Sequence, residues 1–194
     1  MQNERTYPTL SIAVAPSAAP AVRGAEVLAF SLLIGLSAQC AVRLPFTPVP
    51  VTGQTAMVLL AGALFGARRG AAAVALYLIE GAAGMPFFAS GGAGLPFLLG
   101  PTGGYLLSFP VAAFVVGLLA ERGWGRGYFR AALMMLAGTA VVYGMGLYGL
   151  ARFVPPGKVL ALGLYPFIPG DIAKIAFSAT ALPLAWRFLR SRES

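Results

Sequence analysis

The chain alternates between long apolar runs and shorter segments that hold most of the charges, prolines and glycines. Residues 81–120 contain no charged residue, and residues 44–67 and 131–151 are likewise uncharged. One crossing of a bilayer needs about 20 apolar residues. Because the apolar residues are continuous and do not alternate with a period of two, the pattern predicts membrane-spanning helices, not strands of a barrel.

We predict an all-α integral membrane protein with six transmembrane helices in one domain, residues 23–194. The predicted spans are 27–42, 54–66, 71–83 with an end as late as residue 88, 103–120, 131–151, and 170–188 with an apolar approach from residue 160. Residues 1–22 are rich in proline, alanine and serine and lack the pattern of a signal peptide. We expect them to form a flexible cytoplasmic tail.

The positions of the basic residues agree with an even number of spans. If both termini are cytoplasmic, three basic residues fall in outer loops, Arg43, Arg152 and Lys158. Ten fall inside, Arg5, Arg23, Arg68, Arg69, Arg122, Arg126, Arg130, Arg187, Arg190 and Arg192. This excess follows the positive-inside rule. We therefore interpret the net charge of +8 as a signal of membrane topology and not of nucleic-acid binding.

The predicted outer loops differ in kind from the inner ones. The inner connections, 67–70 and 121–130, are short and charged, whereas the outer loops 44–53, 84–104 and 153–170 are longer and rich in proline and glycine. A Pro-Phe pair recurs in the outer loops, at Pro45-Phe46, Pro86-Phe87, Pro96-Phe97 and Pro166-Phe167. Proline stiffens the backbone and phenylalanine supplies apolar surface. We expect these loops to cover a ligand pocket, although any single pair also fits an interfacial aromatic belt.

Residues suited to catalysis are scarce. The chain has no histidine, a single cysteine (Cys40) and no G-x-x-x-x-G-K-[ST] phosphate-binding loop. We therefore expect no enzyme, no metal site and no cofactor bound by this chain. Energy for uphill transport would have to come from an ion gradient or from another subunit.

Two opposite charges interrupt the sixth predicted span. Asp171 and Lys174 are the only charged residues between Val159 and Trp186. Each would cost about 2.5 to 3.5 kcal/mol at mid-membrane, so pairing, water or a ligand must offset the cost. Positions three apart share a helix face. A structural alternative is that Asp171 caps a helix that starts at Pro169-Gly170, but a lysine in the first turn opposes the helix dipole.

A few other polar residues fall within or beside the apolar spans, namely Gln54, Glu80, Thr102, Tyr105, Tyr143 and Tyr148. All except Tyr143 are expected in the outer half of the membrane. An intramembrane carboxylate such as Glu80 is a candidate ligand contact, with a structural role as partner of Lys174 as the alternative. Glycines in the segment 100–104 allow the backbone to approach a ligand. The set suits a small, mostly apolar ligand with a few hydrogen-bonding groups.

Four segments together resemble the BioY family, the biotin-specific substrate-binding (S) components of energy-coupling factor (ECF) transporters. They are LPFTPVPVTGQT at 44–55, LAGALFG at 60–66, GPTGGYL at 100–106 and PGDIAK at 169–174. The resemblance extends from about residue 27 to the end of the sixth span. It implies a six-helix S component in the bacterial cytoplasmic membrane that captures biotin from outside. A transmembrane coupling (T) subunit and two ATPase subunits would then supply the energy from ATP.

The resemblance also implies roles for particular residues. Together with the polar inventory it predicts a biotin site formed by Gln54, Glu80, Gly100, Thr102, Tyr105, Asp171 and Lys174, and a contact with the T subunit at Ala25 and Ala29 of the first helix. Two positions depart from the family pattern. Gly100 stands where some relatives carry a basic residue, and Glu80 stands where a neutral or amide side chain is expected.

Three alternatives stay open at this point. The same scaffold could carry a different vitamin, the chain could transport biotin without ATPase subunits, or it could be a membrane enzyme that acts on a lipid or prenyl substrate. Such an enzyme would need clustered acids or a histidine near the membrane surface, and the sequence has neither.

Overall fold

The structure, a computed structural model, describes residues 9–193, and the described residues form helices and one small hairpin. The helices are α1 (Leu10–Val14), α2 (Pro20–Gln39), α3 (Gln54–Phe65), α4 (Ala67–Ala82), α5 (Leu95–Leu98), α6 (Gly103–Glu121), α7 (Tyr128–Leu150), α8 (Val159–Gly163) and α9 (Ile168–Glu193). Strand β1 (Ala41–Val42) pairs antiparallel with β2 (Val51–Thr52). Short 3-10 turns occupy Ala89–Gly91, Trp124–Arg126 and Pro156–Lys158.

Each predicted span corresponds to a helix, but the helices differ in length. Among the described residues, four helices are long and apolar enough to cross a membrane, namely α2, α6, α7 and α9. Helix α3 has 12 residues and α4 has 16. At 1.5 Å per residue they are about 18 and 24 Å long, which is less than the roughly 30 Å of the hydrocarbon core. The structure therefore supports four spans on length and composition, where the sequence predicts six.

Part of the predicted tail, residues 1–22, has regular structure. Helix α1 begins at Leu10, which is buried, and α2 begins at Pro20, seven residues before the predicted first span. Proline is favoured at the first position of a helix. The Arg23 guanidinium donates to the Ser11 hydroxyl (2.9 Å) and to the Ala15 carbonyl, which ties α1 to α2. Residues 1–8 of the predicted tail lie outside the described residues.

Helix α6 occupies the centre of the bundle and packs against α3, α4 and α7. Glycines permit the closest contacts. A Cβ at Gly62 would lie 2.2 Å from the Ala113 carbonyl oxygen, and a Cβ at Gly117 would lie 2.3 Å from the Ala67 nitrogen. Small residues at such crossings bring helix backbones together where lipid supplies no hydrophobic drive for association. The core of the bundle is therefore set by backbone contact between α6 and the α3–α4 pair.

The two ends of the bundle differ in chemistry. At one end, which we call the loop end, the segments 40–53, 83–102 and 151–167 meet, and the Thr47 hydroxyl donates to the Leu162 carbonyl (2.6 Å). The opposite end, the connector end, holds the short link between α3 and α4 and that between α6 and α7. Charged contacts join the helices there. Glu26 accepts from Arg69 (3.2 Å), and Glu121 accepts from the Ala67 N–H (2.9 Å).

Candidate ligand-binding site

A pocket opens among α3, α6, α7 and α9 at the loop end, where about 850 Å³ of space lies between the lining atoms and at the open mouth. Ligand pockets are mostly apolar, with a few polar groups that fix the orientation of the ligand. Its apolar wall includes Val49, Pro50, Leu59, Phe97, Leu106, Phe109, Met135, Val142, Phe167 and Ile175. Its polar wall consists of Thr52, Gln54, Thr55, Thr102, Tyr105, Thr139, Tyr143, Asp171, Lys174 and Ser178.

The strongest polar feature of the pocket is a network centred on Asp171. The Lys174 ammonium donates to Asp171 Oδ1 (3.1 Å) and to the Thr55 hydroxyl (2.8 Å). The Tyr143 hydroxyl donates to the other carboxylate oxygen, Oδ2. The network thus joins three helices, α9, α3 and α7, through one ion pair. Mutual pairing offsets part of the cost of placing both charges inside an apolar protein.

The position of Asp171 decides against the structural alternative of a helix cap. Helix α9 begins at Ile168, and the Asp171 N–H already bonds to the Phe167 carbonyl (2.9 Å). Asp171 therefore lies within the first turn, and its side chain accepts hydrogen bonds from Tyr143 and Lys174. Both of its carboxylate oxygens are directed to side-chain donors at the pocket.

Three further predicted site residues also line the pocket, and two of them have bonds to the fold. Gln54 is buried, and its amide nitrogen donates to the Tyr77 hydroxyl of α4. The Tyr105 hydroxyl donates to the Gly163 carbonyl (2.8 Å), so this tyrosine offers its ring more than its hydroxyl to the pocket. Thr102 lines the pocket immediately before α6. Five of the seven predicted site residues are thus brought together.

The other two predicted residues, Glu80 and Gly100, lie outside the pocket lining. Glu80 Oε1 accepts from the Ser31 hydroxyl of α2 (3.3 Å), while Oε2 is buried with no hydrogen-bond partner among the described residues. Lys174 bonds to Asp171 and Thr55, so the structure does not show the alternative role of Glu80 as a partner of Lys174. The Gly100 carbonyl accepts from the Gly103 N–H (3.0 Å), which places Gly100 in the turn that leads into α6.

Tyr143 and Thr55 line the pocket and bond to Asp171 and Lys174, although the sequence does not predict them as site residues. Tyr143 was expected away from the outer half, yet its hydroxyl reaches Asp171. The spacing of Thr139, Val142 and Tyr143 places them on one face of α7, and all three line the pocket. That spacing is the signal that could have identified this face of the helix. Thr55 directly follows Gln54 at the start of α3 and gives no such signal.

The predicted partner contact lies on the outside of the bundle. Ala25 and Ala29 are both exposed on α2. They continue into exposed Leu32 and Leu36, which follow at positions three and seven after Ala29. The result is an apolar stripe along α2 with small residues at its connector end.

Comparisons with known proteins agree on the family. In fold, the structure resembles the crystal structure of the S component for biotin from an ECF-type ABC transporter, with a TM-score of 0.76 and 24% identity over 90% of this chain and 92% of that one. A probable biotin transporter BioY of Pyrococcus horikoshii is 42% identical over 161 residues, 83% of this chain and 92% of that protein. The biotin transporter BioY of Thermotoga maritima is 37% identical over 139 residues, 71% of this chain and 81% of that protein. The BioY family model matches residues 12–191. With a match over nearly its whole length, this chain belongs to the BioY family.

Proposed function

We propose that this protein captures biotin as the substrate-binding S component of an ECF-type ABC transporter. The observation that carries the proposal is the Asp171–Lys174 pair, which lines a mostly apolar pocket in a chain of the BioY family. Biotin has a polar ureido head, a thioether ring and an aliphatic chain that ends in a carboxylate. The pocket matches that distribution because its polar network is compact and most of the remaining wall is apolar.

The ion pair suits the ureido head in particular. One edge of a cyclic urea presents an N–H donor beside a carbonyl acceptor, and Asp171 and Lys174 present an acceptor beside a donor 3.1 Å away. Each Asp171 oxygen keeps a further lone pair after bonding to Lys174 or Tyr143, and Lys174 keeps a third N–H. The thioether ring and the chain would lie against the apolar wall, near Gln54, Thr102 and Tyr105.

We propose that α3 and α4 cross the bacterial cytoplasmic membrane together with α2, α6, α7 and α9, with both termini in the cytoplasm and the pocket facing outward. Helices α3 and α4 are short, and the segments 40–53 and 83–102 would complete the depth of the membrane. Irregular backbone is tolerated at that depth where it is buried in protein or lines a cavity. Several basic residues lie at the connector end, including Arg68, Arg69 and Arg122, which supports a cytoplasmic position for that end.

The direct test of the function is equilibrium binding of labelled biotin to the purified protein in detergent or nanodiscs. We expect saturable binding of one biotin per chain. Unlabelled biotin should displace the label, whereas a hundredfold excess of thiamine or riboflavin should not. Thiamine has no carbonyl group to accept from Lys174, and the three-ring head of riboflavin is much larger than the two fused five-membered rings of biotin. Displacement by either vitamin at concentrations similar to biotin would assign the pocket to a different ligand.

We further propose that the exposed face of α2 at Ala25 and Ala29 contacts the T subunit, while two ATPase subunits bind and hydrolyse ATP. Small side chains allow a partner helix to approach closely. Replacing Ala29 with tryptophan should therefore abolish co-purification with tagged T and ATPase subunits and leave biotin binding unchanged. Ala140→Trp, at an exposed alanine of α7, is the matched control and should keep the complex. Equal recovery of the complex with both variants would place the partner surface elsewhere.

A further inference from the structure

The lining of the pocket has no net charge. Among the described residues that form it, Lys174 is the one cation and Asp171 the one anion, and they pair with each other at 3.1 Å. The remaining polar groups are hydroxyls and the amide of Gln54. A ligand that enters this pocket therefore meets a neutral dipole and neutral hydrogen-bonding groups.

Such a lining is poorly suited to a carboxylate. A carboxylate offers only acceptors, so it could bond to Lys174 only by approaching the neighbouring Asp171 oxygens, which carry the same charge. Burial of an ionised carboxylate is costly unless an opposite charge pairs with it. The ion pair favours a neutral group that donates and accepts side by side, and it gives a ligand anion little net attraction.

The other cations at the loop end lie outside the pocket lining. The Arg43 Nε donates to the Ser90 hydroxyl (3.1 Å) in an exposed contact. The Arg152 guanidinium lies over the ring of Tyr148, a residue that is itself 72% exposed. Lys158 is exposed in a short 3-10 turn. In the described part of the chain, then, the pocket holds no second cation for the acid end of a ligand.

We infer that this pocket recognises the ureido head and the apolar body of its ligand and leaves the acid end without a charge partner. The inference rests on the proposed function. It extends the ligand class from biotin to uncharged derivatives of its carboxyl group, such as primary amides and small esters. The ureido head, in contrast, should be required.

The experiment is competition of labelled biotin on the purified wild-type protein by three compounds: biotin, its primary carboxamide, and the diamine that lacks the ring carbonyl. A fixed cation on the carboxylate would make biotin about 10- to 100-fold tighter than the amide, the usual range for a charged hydrogen bond. We expect the amide to bind within about fivefold of biotin, because no such bond is lost. The diamine should bind at least about 100-fold more weakly. It has no carbonyl to accept from Lys174, and its ammonium groups are charged where the ureido head is neutral.

The outcomes separate this inference from the function on which it rests. Loss of more than tenfold on amidation, with tight binding of biotin itself, would overturn the inference and leave the function in place. Failure of biotin to bind would remove the function. Arg43→Gln supplies a second measurement, since Arg43 is the most obvious alternative partner in the loops. The ratio of amide to biotin affinity should not change in this variant, and a selective loss of biotin affinity would identify Arg43 as the missing cation and overturn the inference.

Discussion

Replacement of Asp171 by asparagine is expected to lower biotin affinity by at least about 100-fold. The carboxylate accepts from Tyr143 and Lys174 and is the proposed acceptor for a ureido N–H. An asparagine side chain keeps the size but removes the negative charge and leaves one acceptor oxygen in place of two for Tyr143, Lys174 and the ureido N–H. It also leaves the charge of the half-buried lysine without its counter-ion. Equilibrium binding of labelled biotin measures the loss.

Glu80→Gln is the matched control for this experiment. It removes the other intramembrane carboxylate that the sequence predicts as a ligand contact, yet Glu80 lies outside the pocket and bonds to Ser31. We expect wild-type biotin affinity for Glu80→Gln, and a monodisperse elution profile for both variants. Undiminished binding by Asp171→Asn would refute the proposed site. A large loss in Glu80→Gln would instead return Glu80 to the site, as the sequence predicted.

Replacement of Gly117 by alanine is expected to destabilise the bundle by about 3 kcal/mol or more, at the upper end of the usual cost of overpacking. The added Cβ would lie 2.3 Å from the Ala67 nitrogen and 2.4 Å from the Gly66 carbonyl carbon. These are backbone atoms at the turn between α3 and α4, so they cannot move aside as a flexible side chain could. Helix α6 would have to shift away from α3. Thermal unfolding in mild detergent, followed by circular dichroism or a dye assay, measures the effect.

Gly144→Ala is the matched control, because it makes the same glycine-to-alanine change in helix α7 at a position where the added Cβ meets no neighbouring atom. A Cβ at Gly144 has no neighbouring atom within 4 Å. Alanine is favoured over glycine in a helix by about 1 kcal/mol, so this variant should be as stable as the wild type or slightly more so. Equal stability of the two variants would show that α6 and the α3–α4 turn are not in backbone contact.

The predicted helices match the structure where the apolar run has a clear end. The span predicted at 103–120 is the helix Gly103–Glu121, and the span predicted at 54–66 is the helix Gln54–Phe65. Agreement is poorer at the first helix, which starts at Pro20 and not at residue 27. Arg23 and Glu26 are charged and precede the apolar run that begins at residue 27. They fit because Arg23 bonds to Ser11 and Glu26 accepts from Arg69, and such long-range contacts leave no trace in local hydrophobicity.

The same distinction between local and long-range properties applies to the candidate site. Local properties determine the order and type of the helices, because each apolar run is a continuous segment of the sequence. They also place Asp171 and Lys174 on one face, because spacing along a helix is regular. The positions of Tyr143 and Glu80 depend on how each helix is rotated and how deep it sits against its neighbours. Packing of α6 against α3, α4 and α7 sets those rotations. This packing directs Tyr143 toward Asp171, 28 residues away in the chain, and turns Glu80 toward α2. The sequence of a single helix cannot specify these orientations, because the contacts between helices form only when all the helices pack together.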